Sequence, residues 1–439
     1  MKSPATGTST MHLSGFSSAG SRVHIMSYLS ETDAGQRIMQ RCDELGSISE
    51  PGAGVTRLYL SPEHRTAAET IAGWMRDAGM DARIDEAGNV VGRYHSESGG
   101  GPYLVTGSHM DSVVQAGRYD GPLGVLTSLD CVAVLNGHGR RLPFGIEVVA
   151  FADEEGTRFR TTLAGSRAIS GQFGDDLFSA SDEQGISVRE AMIEFGLDPE
   201  AVAAAAHRPD ELIGYVELHI EQGPVLQASG LPVGVVTAIS GQTRAVLKLK
   251  GAANHAGTVP MGMRKDPLLA ASEIALAVER IASAHPDTVG TVGFIKAEPG
   301  LINVIPGEVS LTVDLRSQAD GIRHAAFDEL GIAARAIAAR RGVEIDIDKI
   351  LDLKSCPCAL DFVDRIEAAV EAAGVRPLRL PSGAGHDGMA MSAVTDIGMI
   401  FVRCKDGISH SPEESVTAAD VATGAAVLLH FIENFQGRP

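Results

Sequence analysis

Apolar and polar positions along this chain follow two rhythms. Short, nearly continuous apolar runs occur at Val90 and Val91, Tyr103 to Thr106, Ile146 to Ala152, Tyr215 to His219 and Met399 to Arg403, and these read as strands. The run Ile146 to Ala152 is broken only by Glu147, as expected of a strand covered on both faces. Helical spacing links Ala67, Ile71, Trp74 and Met75. Ser61, Pro62 and Glu63 precede them as N-cap, first helical residue and first-turn acid, which predicts a helix to about Met80. Pro122 to Leu135 reads as a buried helix, and further helical patterns fall at 187–196, 268–284, 322–341, 360–373 and 418–435. Strands alternating with helices predict an α/β layered fold. In such folds ligands gather beyond the carboxyl ends of the strands.

The stretch from Ile239 to Asp352 differs. It holds β-rich runs at Arg244 to Lys250, Thr288 to Ile295, Glu308 to Leu315 and Val343 to Ile347, with two long helices among them. Two helices against a small sheet predict an inserted second domain. The expected organisation is a tail and lead-in helix over 1–46, a metal-binding catalytic domain from 47–238 and 353–439, and an inserted domain over 239–352. Met1 to Ser21 is rich in Ser, Gly and Thr, which suits a mobile tail, and it lacks the charged-then-apolar order of a secretory signal.

Candidate chemistry sits just after the apolar runs. Gly107-Ser108-His109-Met110-Asp111, Tyr119-Asp120-Gly121, Asp153-Glu154-Glu155-Gly156, Glu217-Leu218-His219-Ile220-Glu221-Gln222-Gly223 and Ser409-His410-Ser411-Pro412 each carry a metal-type ligand. Histidine and carboxylate together hold first-row divalent ions. Such a set suffices for two ions bridged by one carboxylate, which points to metal-assisted hydrolysis.

Composition adds limits. A chain of 439 residues favours two domains, and 44% hydrophobic with 21% charged residues is ordinary for a globular protein. A formal charge of −19 argues against nucleic acid and anionic membrane surfaces as partners. No apolar run approaches the ~20 residues of a membrane span. The five cysteines show no framework spacing, which suggests reduced thiols and a cytoplasmic setting. Cys356-Pro357-Cys358 alone is a weak metal signal.

The ordered set GSHMDS, YDGPLGV, ADEEGTRF, ELHIEQGP, NHAGTVPM, NVIPGEV with DLR, SGAGHD and GISHSPEE resembles the dinuclear amidohydrolases that cleave N-carbamoyl amino acids and related ureido acids. That family includes N-carbamoyl-L-amino acid hydrolase, β-ureidopropionase and allantoate amidohydrolase, and is related to aminoacylase-type metallopeptidases. The match runs from about Gly46 to Phe435. It implies a mixed-sheet α/β catalytic domain of the dinuclear metallopeptidase type, with the inserted α+β domain serving as lid and dimerisation domain. Ser382 to Ser392, Met399 to Cys404 and Ser240 to Arg244 look most like the allantoate branch, while Phe151 to Phe159 and Glu221 to Pro224 are shared with the carbamoylases. The resemblance thus implies hydrolysis of a linear ureido amide in a carboxylate-bearing substrate. Allantoate, a step in purine catabolism releasing ammonia and carbon dioxide, leads; an N-carbamoyl-L-amino acid or β-ureido acid is the alternative. A dipeptidase or aminoacylase, or a noncatalytic metal-bearing binding protein, fits the motifs less well.

Carried over position by position, the resemblance makes His109, Asp120, Glu155, His219 and His410 the metal ligands, with Asp120 bridging. Asp111 would accept the other ring N–H of His109. Glu154 would be the general base. His255 would reach the partner subunit's site and stabilise an oxyanion. Asn303 and Arg316 would hold the substrate carboxylate. Gln222 and His386 would line the pocket, with Gly383 and Gly385 allowing close approach of backbone. The implied cofactor is two divalent ions per subunit, Mn2+ foremost, with Zn2+, Co2+ or Ni2+ admitted by the same ligands. The implied partners are a small anionic ureido substrate and a second copy of the chain.

Overall fold

A computed structural model describes residues 34–437. The tail expected over 1–21 lies outside the described residues, and the lead-in helix corresponds to Ala34–Gly46.

The large sheet begins with β1 (Asp81–Ile84), β2 (Val90–Tyr94), β3 (Tyr103–His109), β4 (Gly145–Phe151), β5 (Leu212–Ile220) and β6 (Val233–Ile239). The chain then leaves for a second unit made of β7 (Gly241–Lys250), β8 (Asn254–His255), β9 (Thr288–Thr291), β10 (Ile295–Glu298), β11 (Val304–Ile305), β12 (Glu308–Ser317) and β13 (Glu344–Leu353). It returns through β14 (Cys356–Pro357), β15 (Arg379–Ser382) and β16 (Ile397–Val402). The large sheet runs β1-β2-β4-β3-β5-β16-β6-β14, with β15 also on β6. It is mixed. β4, β3, β5 and β16 are mutually parallel neighbours, β2 is antiparallel to β4, and β6 is antiparallel to β16 and β14 but parallel to β15.

Every residue of β3 and β4 is buried, Glu147 included, which explains their unbroken apolar runs. The helix Pro122–Gly137 lies on β3, β4 and β5, and Ala34–Gly46 and Ala418–Asn434 pack against it. Its approach to the sheet is close: a Cβ on Gly124 would stand 2.1 Å from the Leu218 carbonyl oxygen.

The second unit has its own apolar core. The helices Pro267–Ala284 and Asp320–Arg341 cover one face of a five-stranded antiparallel sheet, ordered β10-β12-β7-β13 with β9 also on β12. In β12 the alternation is regular: Val309, Leu311, Val313 and Leu315 are buried under the helices, and Ser310, Thr312, Asp314 and Arg316 stand on the open face.

Two expectations need correction. The helix after Ser61 ends at Asp77, not Met80, because Gly79 turns the chain at φ 83°, a left-handed conformation that glycine adopts without steric cost. The single run expected over Thr288 to Ile295 is two short strands, β9 and β10. β9 pairs with Asp314 to Ser317 and β10 with Glu308 to Leu311, so the chain steps along β12 around Gly293, which has no side chain to pack. All five cysteines are unpaired and buried, and neither Cys356 nor Cys358 joins a group able to hold an ion among the described residues. No described helix is long and apolar enough to cross a membrane.

Candidate metal centre and active site

Parallel strands deliver the candidate ligands to one edge of the large sheet. His109 is the last residue of β3, His219 lies near the end of β5, Glu154 and Glu155 follow β4, and His410 follows β16. Asp120 arrives from the loop before Pro122–Gly137. Gly121 in that loop has φ 81°, and a Cβ there would meet the His109 ring at 2.5 Å, so only glycine lets Asp120 approach.

Among the described residues, two of the four side-chain groups able to hold an ion share Asp120. On one side, His219 Nε2 lies 3.1 Å and His109 Nε2 3.6 Å from Asp120 Oδ1. On the other, His410 Nε2 lies 3.2 Å from Asp120 Oδ2 and 3.3 Å from Glu155 Oε1. His219 Nδ1 donates to the Ile220 carbonyl at 2.9 Å, and His109 Nδ1 to the Asp111 carbonyl at 3.1 Å. With Nδ1 committed, the hydrogen-bond network assigns the free lone pair of each neutral ring to Nε2. Buried Asp120 Oδ1 receives no well-formed hydrogen bond. Two lone pairs and an orphaned carboxylate oxygen converging in a buried space are the arrangement a cation satisfies.

The electrostatics agree. Burial alone would raise the Asp120 carboxyl, but the three surrounding histidines hold it well below the usual carboxylate range. Burial, together with the Asp120 charge, pushes Glu155 up to about 7. Burial also pushes Glu154 well above the usual range, with Glu155 and Asp387 adding to the effect and His109 opposing it.

The sequence profile of peptidase family M20/M25/M40 matches residues 105–434. The chain belongs to peptidase family M20/M25/M40. Within this metal-dependent family, it is 43% identical to an N-carbamoyl-L-amino acid amidohydrolase of Geobacillus stearothermophilus, over 91% of this chain and 98% of that one. It is 39% identical to an allantoate deiminase of Arabidopsis thaliana, over 90% of this chain and 81% of that one. A solved hydantoinase/carbamoylase family amidase from Burkholderia multivorans superposes with a TM-score of 0.86 at 35% identity, covering 91% of this chain and 97% of that chain.

Around the candidate ligand cluster, several residues take partners other than those expected. The Asp111 carboxylate is 3.5 Å from His109 Nδ1, and the ring proton goes instead to the Asp111 carbonyl. The carboxylate accepts the backbone N–H groups of Glu154 at 3.0 Å and Glu155 at 3.1 Å. It therefore anchors the turn that presents both acids. Gln222 donates to Asp120 Oδ2 at 2.8 Å, so it touches the bridging carboxylate rather than only lining a pocket. His386 is buried. Its Nε2 lies 2.7 Å from Ser382 Oγ, and its ring packs edge-on against His219, so it backs a ligand. A Cβ on Gly385 would lie 3.6 Å from Glu154 Oε1, so that glycine leaves room beside Glu154, whereas one on Gly383 would meet nothing within 4 Å.

Ser409 and Glu414 were not singled out in the sequence. Ser409 Oγ lies 2.5 Å from Asp120 Oδ2 and 2.9 Å from Glu414 Oε2, and its single O–H serves one of the two carboxylates at a time. Glu414 Oε1 accepts the N–H groups of Tyr119 at 2.8 Å and Asp120 at 3.1 Å. Together they fix the backbone and one oxygen of Asp120. Asp153, Gln222 and His410 all have positive φ, near 55°, which places non-glycine residues in a strained conformation around the site.

The remaining candidates lie on the second unit. His255 and Asn303 are exposed, beside and within the segments that form the small β8–β11 sheet, where Ala256 N–H donates to the Asn303 carbonyl at 2.9 Å. Arg316 places Nε and Nη2 on Asp314, at 3.0 and 3.1 Å, and Nη1 on the Gly383 carbonyl at 2.7 Å. The candidate ligand cluster is thus assembled within the large unit; His255 and Asn303 bond within the second unit, and Arg316 bonds Asp314 there and the Gly383 carbonyl of the large unit.

Proposed function

We propose that this chain is a divalent-metal-dependent amidohydrolase that cleaves the ureido C–N bond of a small carboxylate-bearing substrate. Allantoate is the leading substrate, with release of ammonia and carbon dioxide. The observation that carries the chemistry is the convergence of His109, His219, His410, Glu155 and both oxygens of Asp120. An N-carbamoyl-L-amino acid is the second reading, favoured by the 43% identity to the Geobacillus stearothermophilus amidohydrolase.

His109, His219 and Asp120 would hold one ion; His410, Glu155 and Asp120 would hold the other. Bound there, divalent ions supply Lewis-acid polarisation of the scissile carbonyl and acidify water. Nitrogen and oxygen ligands without thiolate admit Mn2+, Zn2+, Co2+ or Ni2+, and the resemblance to the allantoate branch is what puts Mn2+ first. Glu154 takes the proton of the attacking water and passes it to the leaving nitrogen, and its raised affinity for protons suits the second half of that task. Asp111 keeps Glu154 and Glu155 in register through their backbone N–H groups.

The second unit serves as lid and dimerisation domain in this reading. His255 Nδ1 accepts the Gly257 N–H at 3.1 Å, which assigns the proton of the neutral ring to Nε2. An Nε2–H donor is the form needed to stabilise an oxyanion. Exposed Met261, Met263, Leu301 and Ile302 surround this segment, an apolar rim suited to a second copy of the chain whose site receives His255. Asn303 and Arg316 hold the substrate carboxylate. Buried, unpaired cysteines fit a reducing compartment, and we place the enzyme in the cytoplasm.

A substrate panel tests the reading. Metal-loaded protein should release ammonia from allantoate, and N-carbamoyl-L-amino acids should be the next best substrates. Cleavage of dipeptides without turnover of any ureido acid would overturn it.

A further inference from the structure

The open face of the second sheet carries a second arginine. β7 and β12 pair so that Arg244 stands directly opposite Asp314, with Arg316 two residues along the same face of β12. Arg244 Nε donates to Asp314 Oδ2 at 2.8 Å, and Arg316 forks onto both oxygens of the same carboxylate. Asp314 is therefore shared by two guanidinium groups. Arg244, Asp314, Arg316 and Gly383 line one cavity of about 570 Å³, a volume in the range of small-molecule sites.

Charge and donor counting show what this arrangement does. A guanidinium has five N–H groups. Arg316 commits Nε and Nη2 to Asp314 and one Nη1 N–H to Gly383, leaving two for a ligand. Asp314 and Arg316 alone would form a neutral pair. An arriving carboxylate would then meet one positive and one negative group side by side. Arg244 cancels the second of these, so the three residues together carry one net positive charge. Burial opposes ionisation of Asp314, yet the two arginines hold its carboxyl below the usual range, consistent with a fully charged trio.

We infer that Arg244 is a positioning residue for recognition of the substrate carboxylate: it neutralises Asp314, so that the Asp314-clamped Arg316 presents net positive charge to the acid. This rests on the reading that Arg316 receives that carboxylate. The alternative is an ordinary exposed ion pair, which contributes little and reads nothing.

Steady-state kinetics on the metal-loaded, full-length protein separate the two. The substrates are allantoate and N-carbamoyl-L-alanine, each against its uncharged carboxamide. Arg244→Gln should raise KM for the acids by ~3- to 10-fold, the scale of one charge acting through partly wet space, with kcat and the carboxamide KM nearly unchanged. Arg244→Lys should restore most of the loss, since it returns the charge. Adding Asp314→Asn to Arg244→Gln should also restore acid binding, because the pair of substitutions returns the net charge to that of Arg316 alone; a purely structural role would instead make the double variant worse. Equal changes for acid and carboxamide, or failure of the double variant to recover, would overturn the inference. Arg316→Ala is the control. If it removes the preference for acid while Arg244→Gln does not, the role of Arg244 falls and that of Arg316 stands. If Arg316→Ala affects acid and carboxamide alike, the carboxylate reading itself falls, and the inference with it.

Discussion

The edge of the large sheet and the open face of the five-stranded sheet are built on opposite terms. At the first, His109, Asp120 and His219 are each no more than 5% exposed, and every one is held by a second residue that does not depend on substrate. At the second, His255 and Asn303 are exposed, and Arg316 keeps two N–H groups in reserve. Three of the five proposed ion ligands are thus buried and braced, whereas His410, its side chain 48% exposed, stands at the mouth of the cluster. Groups that must meet a small acid, and let it leave, sit on a separate unit with its own core, joined to the large one by β6–β7 and β13–β14. On the proposed reading, ion binding belongs to the first unit, and carboxylate recognition and assembly belong to the second. Substitutions in the first should therefore abolish turnover or metal binding, and substitutions in the second should leave metal binding intact while changing affinity or, at His255, turnover in the partner's site.

The largest effect is expected at Glu154. Glu154→Gln keeps shape and ligands but removes the base, so kcat should fall by at least ~10²-fold with metal content unchanged. Near-normal kcat, measured by ammonia release, would remove Glu154 from that role. Next comes Arg316→Ala, which should lower kcat/KM for the acid by roughly 30- to 1,000-fold, the usual scale for a lost charge-assisted pair, and leave metal occupancy intact. Loss of metal in that variant would blur the division between the units. Glu414→Gln should weaken metal affinity by ~10- to 100-fold, as expected when a residue behind a ligand loses its charge. Chelator titration checks this, and unchanged affinity would show that the Asp120 loop holds itself. The smallest effect concerns assembly. Mixing His255→Ala with Glu154→Gln chains should restore roughly a quarter of wild-type activity, because half of randomly formed dimers are hybrids with one complete site. Proven exchange of subunits without recovery would confine His255 to its own chain.

Much of the first unit was legible in the sequence because most of the candidate ligands, though not Asp120, follow a strand, and parallel strands bring their carboxyl ends to one edge. His109, His219 and the Glu154–Glu155 pair are read this way. The role of the Asp111 carboxylate was not legible, since its partners are backbone N–H groups after another strand. Glu414 was hidden for the same reason: it holds Tyr119 and Asp120 from far along the chain, and an acid near a turn looks like any solvated one. In the second unit, the β-rich run Glu308 to Leu315 marked β12, and the structure shows it alternating between buried and open faces. The pairing of Arg316 with Asp314 follows from that alternation, because residues two apart share a face. The sharing of Asp314 with Arg244 depends on strand register, which hydrophobic pattern alone does not give across an open face.

The most direct test of the division is a metal count. Elemental analysis of the purified, metal-reconstituted protein should find two divalent ions per chain. Asp120→Ala should lose both, along with turnover, because Asp120 Oδ1 faces one ligand group and Oδ2 the other. An Asp120→Ala protein that keeps two ions per chain and hydrolyses its substrate at the wild-type rate would contradict the bridged, two-ion centre on which everything else here is built.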